Sequence, residues 1–238
     1  MNILAIGNSF SMDATRYIHQ IERCDGFDLN IANLYIGGCP IDKHFRNMHS
    51  DEKAYELEYN GERTLFMVSL KEALLNRNWD YITIQQASHL SYKYDSYQPY
   101  LNELCDYIKK LCPKAKLVIH QTWAYENESI RLRDTGYSSH EQMFENIEKS
   151  YSKAAKDVKA EFIIPSGKLM EKLLENGIDK VHRDTFHLRL GLGRYAVGLL
   201  WYALFSGNDV QENTFCDFDE EVTVEEIKIA KKCVSEIV

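Results

Sequence analysis

Five short apolar runs, each parted from the next by at least one stretch of helical character, constrain this chain more than any other feature. They are Ile3-Leu4-Ala5-Ile6, Phe27 to Ile36, Asp80 to Ile84, Lys116 to Ile119 and Glu161 to Pro165. Strands that alternate with helices pair in parallel, because each crossover helix carries the chain back across a face of the sheet. The expected fold is therefore α/β, a three-layer α/β/α arrangement around a five-stranded parallel sheet. Helices are expected from about Asp13 to Ile21, Asp42 to Met48, Ser69 to Asn76, Tyr97 to Leu111, Ser138 to Val158, Gly167 to Leu174, Leu192 to Phe205 and Thr223 onward. Ser138 with Glu141, and Thr223 with Glu226, have capping-box spacing. One segment breaks the alternation: Asn60-Gly61 lies between two alternating runs, the signature of a β-hairpin over about 54–66. It is expected as an insertion on the α/β core. A chain of 238 residues fits a single domain, 1–238.

Charge and cysteine usage narrow the function. The chain carries 36 acidic and 28 basic residues, a formal net charge of −8. That argues against nucleic acid or an anionic membrane surface as partner. No apolar run approaches the roughly 20 residues of a membrane helix. The six cysteines show neither CxxC nor zinc-ribbon spacing, so reduced thiols and no metal are expected. The chain opens directly on a strand, so a cytoplasmic location is expected, or a secreted or periplasmic one if a leader has been removed. The oligomeric state is left open.

In a parallel sheet of this kind, ligands bind beyond the carboxyl ends of the strands. Several chemically capable residues fall there. Gly7 breaks the first strand, and Ser9 stands where the chain turns toward a helix, a position that suits a nucleophile. The alternative is that Ser9 or Ser11 is simply a helix N-cap, the commoner role for a serine in this position. Gly37-Gly38 follow the second strand, Gln85-Gln86 the third, and His120 to Trp123 the fourth. Asp184-Thr185-Phe186-His187 offer an acid–base pair on one loop. The polar stretch from Glu126 to Tyr137 is expected as a surface loop over the same strand ends. His44, His120 and Trp123 are candidates for lining a substrate pocket, Trp123 because an aromatic face suits a sugar ring; a polar core role is the alternative.

Taken in order, Gly7-Asn8-Ser9, Gly37-Gly38, Gln85-Gln86-Ala87-Ser88 and Asp184-Thr185-Phe186-His187 resemble the sequence blocks of the SGNH (GDSL-type) hydrolase superfamily. The likeness extends to a bacterial branch with a Gly-Asn-Ser-Phe-Ser first block, and it spans nearly the whole chain. The third block departs, since the family's Gly-x-Asn-Asp is absent; carbohydrate acetylesterases of the superfamily also place a Gln there. The resemblance implies a flavodoxin-like fold and a carboxylic ester hydrolase that needs no cofactor. It implies Ser9 as nucleophile, His187 as general base and Asp184 as the residue that orients it. The oxyanion hole is then made by the N–H groups of Ser9 and Gly38 with a side-chain amide from Gln85, or Gln86 if the register shifts by one. The implied substrate is a small acyl ester, such as an O-acetyl group on a sugar. A non-catalytic carbohydrate-binding relative and an acyltransferase are the alternatives.

Overall fold

The computed structural model describes residues 1–238. Seven strands follow in chain order: β1 (Asn2–Gly7), β2 (Asn30–Tyr35), β3 (Tyr55–Tyr59), β4 (Glu62–Val68), β5 (Tyr81–Ile84), β6 (Lys116–Gln121) and β7 (Ile163–Pro165). They form one sheet in the order β4-β3-β2-β1-β5-β6-β7. β1 pairs in parallel with β2 and with β5, and β6 and β7 continue that parallel run. These are the five strands expected from the apolar runs. The hairpin is not an appendage: β3 pairs antiparallel with β2 and β4 with β3, extending the sheet to seven strands. Its turn residues Asn60 and Gly61 both have positive φ, as a tight hairpin turn requires.

Two groups of helices pack among themselves and cover the sheet. One comprises Ser9–Thr15, Ile18–Cys24, Ser166–Glu175, Leu192–Ser206 and Val224–Ser235; the other comprises Ile41–Ser50, Leu70–Leu75, Tyr100–Leu111 and His140–Val158. Leu192–Ser206 buries side chains all round, which accounts for its nearly continuous apolar sequence. No helix is long and apolar enough to cross a membrane.

Several boundaries differ from the sequence expectation. The first helix begins at Ser9 itself and breaks before Ile18, giving two short helices in place of one over Asp13–Ile21. The expected surface loop after β6 contains a short helix, Ile130–Asp134, capped by Ser129. The helix that follows is capped by Ser139 onto Gln142, one residue later than the Ser138/Glu141 spacing suggests. The Thr223/Glu226 capping box forms as expected.

The chain leaves β1 toward β2 on one side and later returns to β5 on the other. The carboxyl end of β1 is thus the point where strand order reverses, and such a point opens a crevice at the sheet edge.

Candidate active site

Ser9 owes its position to the residues on either side. A Cβ on Gly7 would stand 2.5 Å from Ser11 Oγ and 3.0 Å from Gln85 Cδ, so the strand can end this close to its neighbours only with glycine. Asn8 stays extended (φ −149°, ψ −153°) and caps the helix, its Oδ1 accepting from the Phe10 N–H at 3.0 Å. Ser9 is then the first helical residue. Its own N–H is one of the donors a helix start leaves unpaired, and it has no partner within the protein.

The loop carrying Asp184 and His187 is fixed from three sides. Asp13, fully buried, accepts from the guanidinium groups of Arg183 and Arg194 and from the Leu188 N–H. A buried carboxylate needs such pairing to be tolerated at all. Trp123 Nε1 donates to Phe186 O at 2.7 Å, and the Glu126 N–H donates to Thr185 O at 2.8 Å. Thr185 sits at φ 79°, a costly conformation for a β-branched residue, held by these contacts on the turn between Asp184 and His187.

The outcome is a continuous line of hydrogen bonds. Ser9 Oγ lies 2.8 Å from His187 Nε2, and His187 Nδ1 lies 2.7 Å from Asp184 Oδ2. The other carboxylate oxygen, Oδ1, accepts from the His187 N–H at 2.8 Å. Burial, the largest single influence on Asp184, raises its pKa. The hydrogen bonds from the His187 side chain and backbone and from the Phe186 N–H outweigh it and hold Asp184 below its ordinary value. An ionised Asp184 accepts from Nδ1–H, which leaves Nε2 as the acceptor facing the Ser9 hydroxyl.

Around Ser9 and His187 opens a cavity of about 350 Å³ whose walls include Asn8, Tyr35, Gly38, Ser88, Tyr125 and Phe186. Gly38 lies where it was expected, at φ +60° with no side chain to close the space, and its N–H has no partner within the protein. The unpaired backbone donors on the wall of the cleft thus include those of Ser9 and Gly38.

The side-chain amides are elsewhere. Gln85 is buried and faces away from the cavity. Its Nε2 donates to Asn8 Oδ1 at 2.8 Å and its Oε1 meets His120 Nδ1 at 2.8 Å. Gln86 points to the other face of the sheet, where its Oε1 accepts from the Ile41 and Ala87 N–H groups and its Nε2 donates to Ser96. Neither amide lines the cleft, so neither is placed to give the oxyanion donor expected of Gln85 or Gln86. Ser88, further along the same block, does line it and shares a 2.9 Å hydrogen bond with Tyr125 OH.

Three pocket candidates also turn out to be core residues. His44 is buried against Tyr55 of the hairpin, with rings stacked at 5.6 Å and Nδ1 3.0 Å from the Tyr55 hydroxyl. Trp123 is buried under Phe10, ring centroids 4.3 Å apart, and serves the site only by holding Phe186. His120 is fully buried, and desolvation pushes its pKa down to about 3, so it is neutral. Because Gln85 Oε1 can only accept, Nδ1 carries the proton and Nε2 accepts from the Ser166 hydroxyl at 3.1 Å. Asn8, Ser88, Tyr125, Arg131 and Phe186 complete the cleft without a role that the sequence alone assigns; Asn8, Ser88 and Phe186 lie inside the quoted blocks, and Arg131 inside the expected surface loop.

A family model described as a domain of unknown function (DUF4886) matches residues 2–236. The chain belongs to the DUF4886 family. A DUF4886 family protein from Bacteroides uniformis ATCC 8492 is 34% identical and superposes with a TM-score of 0.92, over 99% of this chain and 93% of that one. A protein from Slackia heliotrinireducens provisionally classed as an SGNH hydrolase is 21% identical, with a TM-score of 0.62 over 86% of this chain and 98% of that one. The psychrotrophic esterase EstA from Pseudoalteromonas sp. is 12% identical, with a TM-score of 0.52 over 86% of this chain and 94% of that one. At such identities the likeness shows the fold alone, and that fold is the one of SGNH/GDSL-type hydrolases. No curated protein matches the chain.

Proposed function

We propose that this DUF4886 protein is a serine ester hydrolase with Ser9 as nucleophile, His187 as general base and Asp184 as the residue that orients His187. The observation that carries this is the unbroken Ser9–His187–Asp184 hydrogen-bonded line at the carboxyl edge of β1. His187 Nε2 takes the Ser9 proton as Oγ attacks the ester carbonyl, and then delivers it to the departing alcohol. Water, activated the same way, attacks the acyl-serine and releases the carboxylic acid. The oxyanion of each tetrahedral intermediate is met by the N–H groups of Ser9 and Gly38, with the Ser88 hydroxyl as third donor if Tyr125 OH donates to Ser88.

The cavity favours a small acyl group, and an O-acetyl group on a carbohydrate is the substrate class we infer. Tyr35 and Phe186 supply aromatic faces, and Ser88 and His89 supply polar groups on the same wall. The cleft is open to solvent, which suits hydrolysis over transfer to another alcohol.

The deciding experiment is hydrolysis of 4-nitrophenyl acetate by the wild type and by Ser9→Ala. Turnover is expected to fall at least about 1000-fold in Ser9→Ala with the melting transition retained. Equal activity in the two proteins would remove the mechanism.

A further inference from the structure

Resting on the esterase assignment above, we propose that the substrate of this site carries an anionic group, a carboxylate, sulfate or phosphate, beside its ester, and that Arg131 receives it. The chain is acidic overall, yet no carboxylate is on the wall of the Ser9 cavity. The one permanently charged side chain on that wall is Arg131. Its guanidinium makes no ion pair within the protein. It is instead stacked over the Phe186 ring, 3.8 Å from the centroid, with the Tyr125 ring at 5.8 Å. Phe186 immediately precedes His187 and is anchored through Trp123, so the cation stands on a fixed platform next to the general base. Stacking occupies the flat face of the guanidinium and leaves the N–H donors along its edge for a planar or tetrahedral anion.

A second observation extends the first. Arg131, His89 and Tyr125 also line an adjoining cavity of about 550 Å³ that leads outward from the cleft. Arg131 thus stands where the two spaces meet, between the reacting serine and the larger outer cavity. Asp134 on the outer wall makes no ion pair with it. His89 feels the same positive field: burial lowers its pKa first, and the charges of Lys93 and Arg131 lower it further, against an opposing Asp42. A neutral ester leaves this cation unpaired; an anionic one completes it.

The test compares 3-acetoxybenzoate with its neutral methyl ester, and 3-acetoxybenzenesulfonate as a second anion, in wild type, Arg131→Gln, Arg131→Lys and Arg133→Gln. The readout is the anionic-to-neutral ratio of kcat/KM, and comparing that ratio between variants cancels intrinsic differences in leaving-group reactivity. The wild-type ratio is expected to fall about 10- to 100-fold in Arg131→Gln, the range of a charge-assisted hydrogen-bonded pair, and less in Arg131→Lys. Arg133→Gln, on the same short helix, should keep the wild-type ratio. A preference for sulfonate over carboxylate would assign the tetrahedral class of anion. An unchanged ratio in Arg131→Gln overturns the proposal. Should no ester be hydrolysed at all, the esterase assignment fails on its own, and calorimetric titration of 3-hydroxybenzoate still decides the matter. Tighter binding to the wild type than to Arg131→Gln supports an anion site, and equal binding refutes it.

Discussion

Gln85→Ala separates two physical roles that one residue could play. As a direct oxyanion donor, Gln85 would stabilise charge that exists only in the transition state, and its loss would slow turnover by about 100- to 1000-fold with the fold intact. The structure gives it the opposite character. Its Nε2 and Oε1 are both engaged, at 2.8 Å each, with Asn8 and His120, and the side chain is 1% exposed. Truncation leaves the buried His120 Nδ1–H without an acceptor, at a cost of about 1–3 kcal/mol, and opens a cavity of a few atoms worth about another 1–2 kcal/mol. Asn8 loses one of its three anchors but keeps its bonds to the Phe10 N–H and to Cys39 O. The expected outcome is therefore about 2–5 kcal/mol of lost stability and no more than about a tenfold fall in kcat. Urea unfolding and turnover of 4-nitrophenyl acetate, measured well below the transition, read both quantities on one preparation. If turnover instead drops by about 100-fold or more while the urea midpoint stays put, this reasoning is refuted and Gln85 returns to the oxyanion hole.

Asp184→Asn should keep the fold, because an asparagine Oδ1 can still accept from the His187 N–H, while its NH₂ faces Nδ1 and forces the proton to Nε2. Turnover is expected to fall about 10³- to 10⁴-fold, checked by steady-state kinetics alongside circular dichroism. Ser88→Ala should lower kcat more than Gln85→Ala does while leaving the urea midpoint nearly unchanged; a purely structural effect would show the reverse. Acid should destabilise the protein strongly. Desolvation holds His44 and His120 down to about 3 and His182 down to about 4, so below an unfolded value near 6.5 only the unfolded chain takes up these protons. Stability is then fully present above about pH 6.5 and falls below it by up to roughly 4 kcal/mol per pH unit for the three together, which a urea midpoint flat from pH 7 to 5 would contradict.

The parts of the site visible in the sequence are those fixed by short covalent spacing. Ser9 stands two residues past the end of β1 and opens its helix, and Asp184 with His187 share a four-residue turn, so their placement survives any uncertainty about depth. The pleat correctly sends Gln85 and Gln86 to opposite faces. It says nothing about how far below the rim a side chain ends, and that is set by Asn8 and His120, distant in sequence. Trp123 departs from its expected place for a related reason: Phe186, 63 residues away, folds over it and takes its N–H. His44 departs because the hairpin does not stand outside the core; Tyr55 brings an aromatic ring and a hydroxyl into it. Asp13 leaves no trace in the sequence, being one acidic residue on a helix whose two arginine partners lie about 170 and 181 residues further on.

Asn8 is where these distant contacts meet the turn that carries Ser9. A backbone carbonyl can only accept, so the 3.1 Å contact from Asn8 to Cys39 O must come from Nδ2. That leaves Asn8 Oδ1 to accept from both the Phe10 N–H and Gln85 Nε2. Gln85 must then turn Oε1 toward His120, His120 must carry its proton on Nδ1, and Nε2 is left for the Ser166 hydroxyl. Every amide orientation and the imidazole tautomer follow from that single carbonyl, and the neutral form they require is the one burial imposes on His120. The chain of donors runs from the start of the helix after β7, across β6 and β5, to the turn after β2. An ionised aspartate at this position has no hydrogen for Cys39 O, whereas asparagine supplies one while still capping the helix that begins at Ser9. Asn8 and Gln85 are therefore best understood together: one amide ties the helix that begins at Ser9 to the glycine turn, and the other sets the direction in which the first amide points.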